Sequence, residues 1–90
     1  MLFMIIEHFR PGQAPAVYRR FRESGRMAPD GLRYLASWVD LDYRRCLQVM
    51  EADTADDLTA WTANWEDLID FEIIPVRTSA DAAATIAPQL

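Results

Sequence analysis

Apolar and polar positions divide the chain into four strand-like runs and two stretches with helical spacing. Residues 2–9 are rich in β-branched and aromatic side chains and end at a turn signal over 10–12, so they predict the first strand. Most positions on both faces of this run are apolar. Such a strand is usually covered on both sides, which predicts a central place in its sheet.

Two helices are predicted from apolar side chains that recur three or four residues apart. The first spans residues 14–26, where Pro15 fits the first turn and Gly25 can close the last one. The second spans residues 54–67, with Thr54 as its cap. The apolar stripe of the second helix consists of Leu58, Trp61, Trp65 and Leu68.

A hairpin is predicted between the helices, with strands over 32–39 and 44–51 and a loop over 40–43. If Val39 faces Arg44, the period of two assigns the side chains to two faces. One face then holds Arg33, Leu35, Ser37, Cys46, Gln48 and Met50. The other holds Leu32, Tyr34, Trp38, Leu47 and Val49, so both faces are expected to be covered at least in part.

The last strand is predicted over residues 69–78, and Pro75 assigns it to a sheet edge because proline lacks the N–H that a central strand needs. Residues 79–90 form an Ala-rich tail that either folds into a short helix over 81–86 or frays. The expected domain therefore covers residues 1–78 and the tail covers 79–90.

The order β-α-β-β-α-β, with right-handed crossovers, predicts an α+β fold of the ferredoxin-like type. Its four-stranded antiparallel sheet carries both helices on one face and leaves the other face bare. Because the strands are apolar on both sides, we expect a second copy to cover the bare face as a two-fold homodimer.

Length and charge narrow the classes of function. Ninety residues make one domain, and the net charge of -5 argues against nucleic-acid binding, which requires a basic surface. Residues 1–45 hold eight Arg against five acids, whereas residues 46–90 hold one Arg against nine acids. We therefore expect the Arg-rich first helix to lie beside the acidic second helix.

Cysteine count and apolar run lengths predict the compartment. A single cysteine, Cys46, cannot form an intrachain disulfide or a multi-cysteine metal site, which favours a reducing environment. No apolar run approaches the ~20 residues that a membrane helix needs. We expect a cytoplasmic protein without a membrane span, and the sequence contains no phosphate-binding loop, nucleophile elbow or metal-ligand cluster that would imply a cofactor or metal.

Few residues offer chemistry. His8 is the only histidine and the candidate acid/base; it cannot form a direct dyad with Glu7 because adjacent strand residues point to opposite faces. Ser37, Cys46 and Gln48 form either a polar pocket floor or small filler under the helices, with Cys46 as an inert thiol. Tyr34 and Trp38 form either an aromatic cavity or dimer core.

Four segments point to a known family. They read MLFMIIEHFRPG, FRESGRMAPDGLRYLASWVD, RRCLQVMEADT and WEDLIDFEIIPVRTS. Together they resemble the DUF3303 family of small bacterial proteins over about residues 1–80, a family named for its lack of known function. The resemblance implies a dimeric α/β-barrel, the arrangement also used by antibiotic-biosynthesis monooxygenases and muconolactone isomerases. Those enzymes work without metals or organic cofactors in a pocket between sheet and helices.

Three functions are compatible with these features. The first is a small homodimeric domain that binds a small molecule or serves as an accessory protein. The second is a cofactor-independent enzyme, monooxygenase-like or isomerase-like, acting on a small hydrophobic organic molecule. The third is a structural dimer without a pocket. An enclosed pocket of roughly 300 Å³ or more would separate the first two from the third.

Overall fold

A four-stranded antiparallel sheet organises the chain, and the computed structural model describes all 90 residues. The strands are β1 (Leu2–Phe9), β2 (Leu32–Val39), β3 (Arg45–Ala52) and β4 (Ile69–Val76), in the spatial order β2-β3-β1-β4. The helices are α1 (Ala14–Ser24), α2 (Ala55–Thr62) and α3 (Ser79–Ile86). This order confirms the predicted ferredoxin-like fold, with β1 central and the proline-bearing β4 at an edge.

The core lies between one face of the sheet and the helices α1 and α2. Along β1, the buried side chains of Phe3 and Ile5 alternate with partly exposed ones on the opposite face. Val17 from α1 and Trp61 from α2 join the same cluster of buried side chains. Both helices therefore lie on one face, as predicted, and we call this face the covered face.

The second helix is shorter than its apolar stripe predicts. It ends at Thr62 rather than at Asp67, and the chain continues to Leu68 in tight turns. In these turns the Trp65 N–H donates to the Thr62 carbonyl and the Leu68 N–H donates to the Trp65 carbonyl. Because three-residue and four-residue turns return side chains to similar directions, Trp65 and Leu68 still reach the core.

The tail folds into α3, one residue after the cap residue Thr78, whose hydroxyl accepts from the Asp81 N–H at 3.0 Å. The helix thus begins earlier than position 81, and β4 ends at Val76 rather than at residue 78. Every residue of α3 is exposed. No helix of the chain combines the length and the apolar character needed to cross a bilayer.

The hairpin register differs from the predicted one. Val39 lies opposite Cys46 rather than Arg44, which is a shift of two residues and keeps Ser37 and Cys46 on one face. A bulge between Tyr34 and Ala36 then reverses the alternation, because one extra residue moves all side chains before it to the other face. The prediction that Tyr34 and Trp38 share a face is therefore wrong.

The reversal also exchanges the faces predicted for Leu32 and Arg33. Leu32 pairs with Ala52 and is buried on the covered face. Arg33 pairs with Glu51, and its guanidinium lies 3.8 Å from the Glu51 carboxylate on the bare face. Arg33 is thus not part of the polar face that holds Ser37.

The bare face of the sheet, which we call the open face, has an apolar centre without a covering layer. Trp38 is 61% exposed and Ile74 is 39% exposed. The remaining apolar members are partly exposed; they are Leu2, Met4, Ile6, Ala36, Leu47, Val49 and Val76. Charged residues border this patch, including Arg33 and Glu51 at one end and His8, Arg45 and Glu72 at the other.

Between the first helix and the acidic second half of the chain, the charge asymmetry of the sequence appears as one close ion pair. Arg20 of α1 reaches the turns that follow α2, where two of its nitrogens donate to the Asp67 carboxylate at 2.7 Å each. The same guanidinium donates to the Asn64 carbonyl. The first helix therefore lies beside the acidic segment, as its charge predicts.

Candidate functional site

A cavity of about 190 Å³ lies between the covered face and the helices. Most of its wall is apolar, with Tyr18 and Phe21 partly exposed at its margin. Its apolar members are Phe9, Val17, Phe21, Val39, Trp61 and Trp65. Its polar members are Glu7, Arg26, Ser37, Cys46 and Gln48, with the phenol of Tyr18 beside them. This volume is below the roughly 300 Å³ expected of a ligand pocket, so volume alone does not separate the binding and enzyme functions from a structural dimer.

The backbone at the end of α1 turns Arg26 toward the sheet. Arg26 stands between two residues with left-handed backbone, Gly25 at a φ of 67° and Met27 at 59°. Glycine adopts this conformation freely, whereas a methionine there is strained and needs support from its surroundings.

Three hydrogen bonds supply that support. The indole N–H groups of Trp61 and Trp65 both donate to the Arg26 carbonyl, at 3.1 Å and 3.0 Å. The side-chain amide of Asn64 donates to the Met27 carbonyl at 3.1 Å. Two core tryptophans thus fix the backbone from which the arginine side chain extends.

The Arg26 guanidinium is held by one hydrogen bond and by two neighbouring aromatic rings. Its Nε–H donates to Gln48 Oε1 at 3.2 Å, and Gln48 itself is almost fully buried. The guanidinium carbon lies 3.8 Å from the ring centre of Tyr34 and 5.3 Å from that of Phe21. Stacking of this kind orients a guanidinium without using its terminal N–H groups, which leaves them for a bound group.

Glu7 places a carboxyl in the same cavity. It alternates with Phe3 and Ile5 on the covered face of β1, lies opposite Cys46 and Phe71, and is 8% exposed. Burial raises the pKa of this carboxyl from 4.5 to about 7, because the charged form loses hydration that the charge of Arg26 offsets only in part. Near neutral pH the group therefore exists in both protonation states.

The cysteine and tyrosine side chains of the cavity stay neutral in that range. Burial, with the nearby Glu7 carboxylate, raises the pKa of the Cys46 thiol to about 12. Burial also raises the pKa of the Tyr18 phenol above its ordinary value. Cys46 is therefore an unreactive thiol, and the cavity changes its charge near pH 7 through Glu7 alone.

The residues selected from the sequence are divided among three places. Ser37, Cys46 and Gln48 line the cavity together. Tyr34 lies behind the cavity, where its hydroxyl shares a hydrogen bond of 2.8 Å with Ser37 Oγ and its ring supports Arg26. Trp38 lies on the open face and does not reach the cavity.

His8 lies outside the cavity. Its Nε2 is 3.4 Å from Glu72 Oε1 on the open face, and the histidine borders a polar surface depression with Asp40 and Arg45. It therefore cannot act on a molecule bound beside Arg26, and the acid/base candidate of the cavity is Glu7. The expectation that Glu7 and His8 point to opposite faces is confirmed.

Sequence reasoning missed both charged residues of the cavity. Glu7 could have been found, because it is the single charged residue at the alternate positions 3, 5, 7 and 9 of an otherwise apolar strand face. Arg26 carried no such signal. Its position depends on the left-handed turn after α1 and on the two tryptophans that bind its carbonyl, which lie 35 and 39 residues further along the chain.

The chain belongs to the DUF3303 family, whose model is described as a domain of unknown function and matches residues 1–90. The match covers the whole chain and confirms the resemblance found in the sequence. No curated protein of known function matches the chain significantly. Membership in this family therefore assigns no function to the chain.

Proposed function

We propose that this protein is a cytoplasmic homodimer of the α/β-barrel type that binds a small, largely apolar organic molecule in the cavity of the covered face. The observation that carries the proposal is the composition of that cavity, where aromatic and aliphatic walls surround a few oriented polar groups. Binding sites for small molecules have this composition. Gln48 and Arg26 would orient the polar end of the molecule.

The volume of the cavity limits the size of the ligand. An apolar cavity of about 150 Å³ accommodates benzene. The 190 Å³ found here therefore suits a molecule with one ring and a short polar side chain. Phe21, Trp61 and Trp65 provide the surfaces against which such a ring would pack.

The binding proposal is tested by titrating the full chain with 2-phenylethanol in a calorimeter. We expect saturable binding to the wild type and loss of that binding in Val39→Phe, which fills part of the cavity. Val49→Phe is the matched control, because Val49 lies on the open face and the same volume is added outside the cavity. Absence of binding to the wild type, or equal binding to both variants, contradicts the proposal.

A second copy of the chain is the proposed cover of the open face. An apolar centre with a rim of both charge signs is the composition of a protein interface, and it can complement itself across a two-fold axis. The exposed Trp38 and Ile74 would lose their contact with water in such a dimer. Sheet-against-sheet packing buries the face that the two helices do not reach.

Sedimentation equilibrium at micromolar concentration tests the dimer. We expect the wild type at about twice the chain mass of 10.3 kDa and Ile6→Glu at the mass of one chain, because the substitution places a charge in the apolar centre. Thr59→Glu, on the exposed side of α2, should leave the mass unchanged. A wild type with the mass of one chain contradicts the dimer.

A cofactor-independent isomerase is the second candidate function, and the buried carboxyl of Glu7 favours it. The ionised form of Glu7 can accept a proton from the carbon beside a substrate carbonyl and return it to the enolate oxygen, whose charge Arg26 stabilises in the meantime. Keto–enol exchange of phenylpyruvate is the test. Acceleration that is lost in Glu7→Gln and kept in His8→Gln supports this candidate, and an unaccelerated wild-type reaction contradicts it.

A further inference from the structure

The side chain of Arg26 retains hydrogen-bonding capacity that the protein does not use. Its Nε–H is bound to Gln48, and the rings of Tyr34 and Phe21 lie 3.8 Å and 5.3 Å from the guanidinium carbon. Arg26 takes part in none of the ion pairs of the chain. Its terminal nitrogens form no hydrogen bond within the chain, and Arg26 is part of the lining of a cavity with mostly apolar walls.

Glu7 does not neutralise this charge through a direct ion pair. The two groups interact through space, but no oxygen of Glu7 lies within 4.0 Å of an arginine nitrogen. When Glu7 is protonated, the cavity holds one uncompensated positive charge and a neutral carboxyl that can donate. When Glu7 is ionised, the two charges cancel and an anion gains much less from entering.

Resting on the proposed binding function, we propose that the ligand is a small aromatic carboxylate whose anionic group binds the free end of Arg26 and accepts a hydrogen bond from the protonated carboxyl of Glu7. A guanidinium presents two parallel N–H groups that match the two oxygens of a carboxylate. The ring of the ligand would pack against Phe21, Trp61 and Trp65. Binding of the anion then takes up a proton wherever free Glu7 is ionised.

The groups that face Glu7 allow the proton uptake to be assigned to Glu7 itself. Arg26 supplies the positive guanidinium, and burial keeps the Cys46 thiol and the Tyr18 phenol neutral by raising their pKa values. Tyr43, which adjoins Tyr18 in an edge-to-face contact, is a further phenol near this end of the cavity. Of the groups with shifted pKa values, only Glu7 changes charge near pH 7, so the pH dependence of carboxylate binding reports Glu7.

Calorimetry with phenylacetate and its neutral isostere phenylacetamide tests the selectivity for charge. At pH 6 we expect wild-type protein to bind phenylacetate at least about tenfold more tightly than phenylacetamide, as for one charge-assisted contact. Arg26→Gln should abolish this preference. Arg22→Gln is the matched control, because it removes the same charge from an exposed position of α1 and should keep the preference.

The same titrations at higher pH test the role of Glu7. Wild-type affinity for phenylacetate should fall toward tenfold per pH unit above pH 7, whereas phenylacetamide binding should stay constant. In Glu7→Gln the fall should disappear, because glutamine stays neutral and still donates. Wild-type titrations in two buffers with different ionisation enthalpies measure the proton uptake directly and do not depend on any variant folding.

The outcomes separate this proposal from the binding function itself. Equal affinity for the acid and the amide overturns the carboxylate proposal and leaves a cavity that binds neutral molecules. Preference for the acid without proton uptake overturns the role of Glu7. If neither probe binds, the carboxylate proposal is wrong, and the proposed binding function is also wrong if 2-phenylethanol fails to bind.

Discussion

The two faces of the sheet carry similar apolar side chains but have different surroundings. On β1, Ile5 is fully buried beneath the helices, whereas its neighbour Ile6 lies partly exposed on the open face. The covered face also encloses Glu7 and a cavity, while the charged residues of the open face stay at its rim in contact with water. Apolar composition alone therefore does not reveal whether a face forms core, site or interface.

The difference between the faces depends on what the helices bring to the sheet. The helix side contributes Trp61 and Trp65, which fill the core and also bind the carbonyl of Arg26. No element of the chain covers the opposite face. The covered face can thus hold the buried carboxyl of Glu7 at a raised pKa. The open face is suited to contact a second protein surface.

Paired substitutions on β1 give the largest expected effect. Ile5→Ala should lower the free energy of unfolding by roughly 3–4 kcal/mol, since it leaves a void in a packed core. Ile6→Ala removes the same atoms from the open face and should cost only about 1 kcal/mol in dilute solution. Urea unfolding at low protein concentration measures both, and equal costs would mean that the two faces are equally covered within one chain.

The second-largest expected change in stability comes from the titration of Glu7. The folded-state pKa of Glu7, about 7, lies above its unfolded value of 4.5, so the unfolded state ionises first and stability falls as the pH rises from 4.5 to 7. At pH 8 the accumulated cost is roughly 3 kcal/mol by linkage. Glu7→Gln should remove this cost at pH 8 and have little effect at pH 4.5.

Urea unfolding across this pH range provides the measurement, and Thr59→Gln provides the control. Thr59 is exposed on α2 and this substitution changes no titratable group, so the slope of stability between pH 4.5 and 7 should stay the same. A Glu7→Gln variant whose stability relative to wild type is the same at pH 4.5 and pH 8 contradicts a buried carboxyl with a raised pKa.

The smallest effect is expected at the margin of the covered face. Arg20→Gln breaks the ion pair with Asp67, whose side chain is 61% exposed, so water and salt already screen most of the attraction. The Tm should fall by only a few degrees and the difference should shrink in 1 M salt. A large, salt-independent loss would show that α1 depends on this contact more than on its apolar face.

The fold could be predicted from the sequence because each element carries a local signal. The apolar run before Pro11, the stripe through Trp61 and the position of Pro75 identify β1, α2 and the edge strand β4. The register of the hairpin carried no such signal. The bulge at Leu35 leaves the composition of β2 unchanged and yet moves Tyr34 to the other face.

The candidate site was predictable only in part. Ser37, Cys46 and Gln48 follow from strand alternation, which the two-residue register shift preserves. His8 was predicted as the acid/base residue because it is the only histidine, but strand alternation directs its side chain away from the helices and the cavity. Arg26 depends on contacts between distant parts of the chain, and these arise only when the tertiary structure has formed.

The indole N–H resonances of the three tryptophans test the central claim, because Trp61 and Trp65 line the cavity and Trp38 lies on the open face. We predict that 2-phenylethanol shifts the Trp61 and Trp65 signals and leaves the Trp38 signal in place. Dilution of the free protein should shift the Trp38 signal alone. A ligand that shifts only Trp38, or none of the three, would contradict a binding site on the covered face.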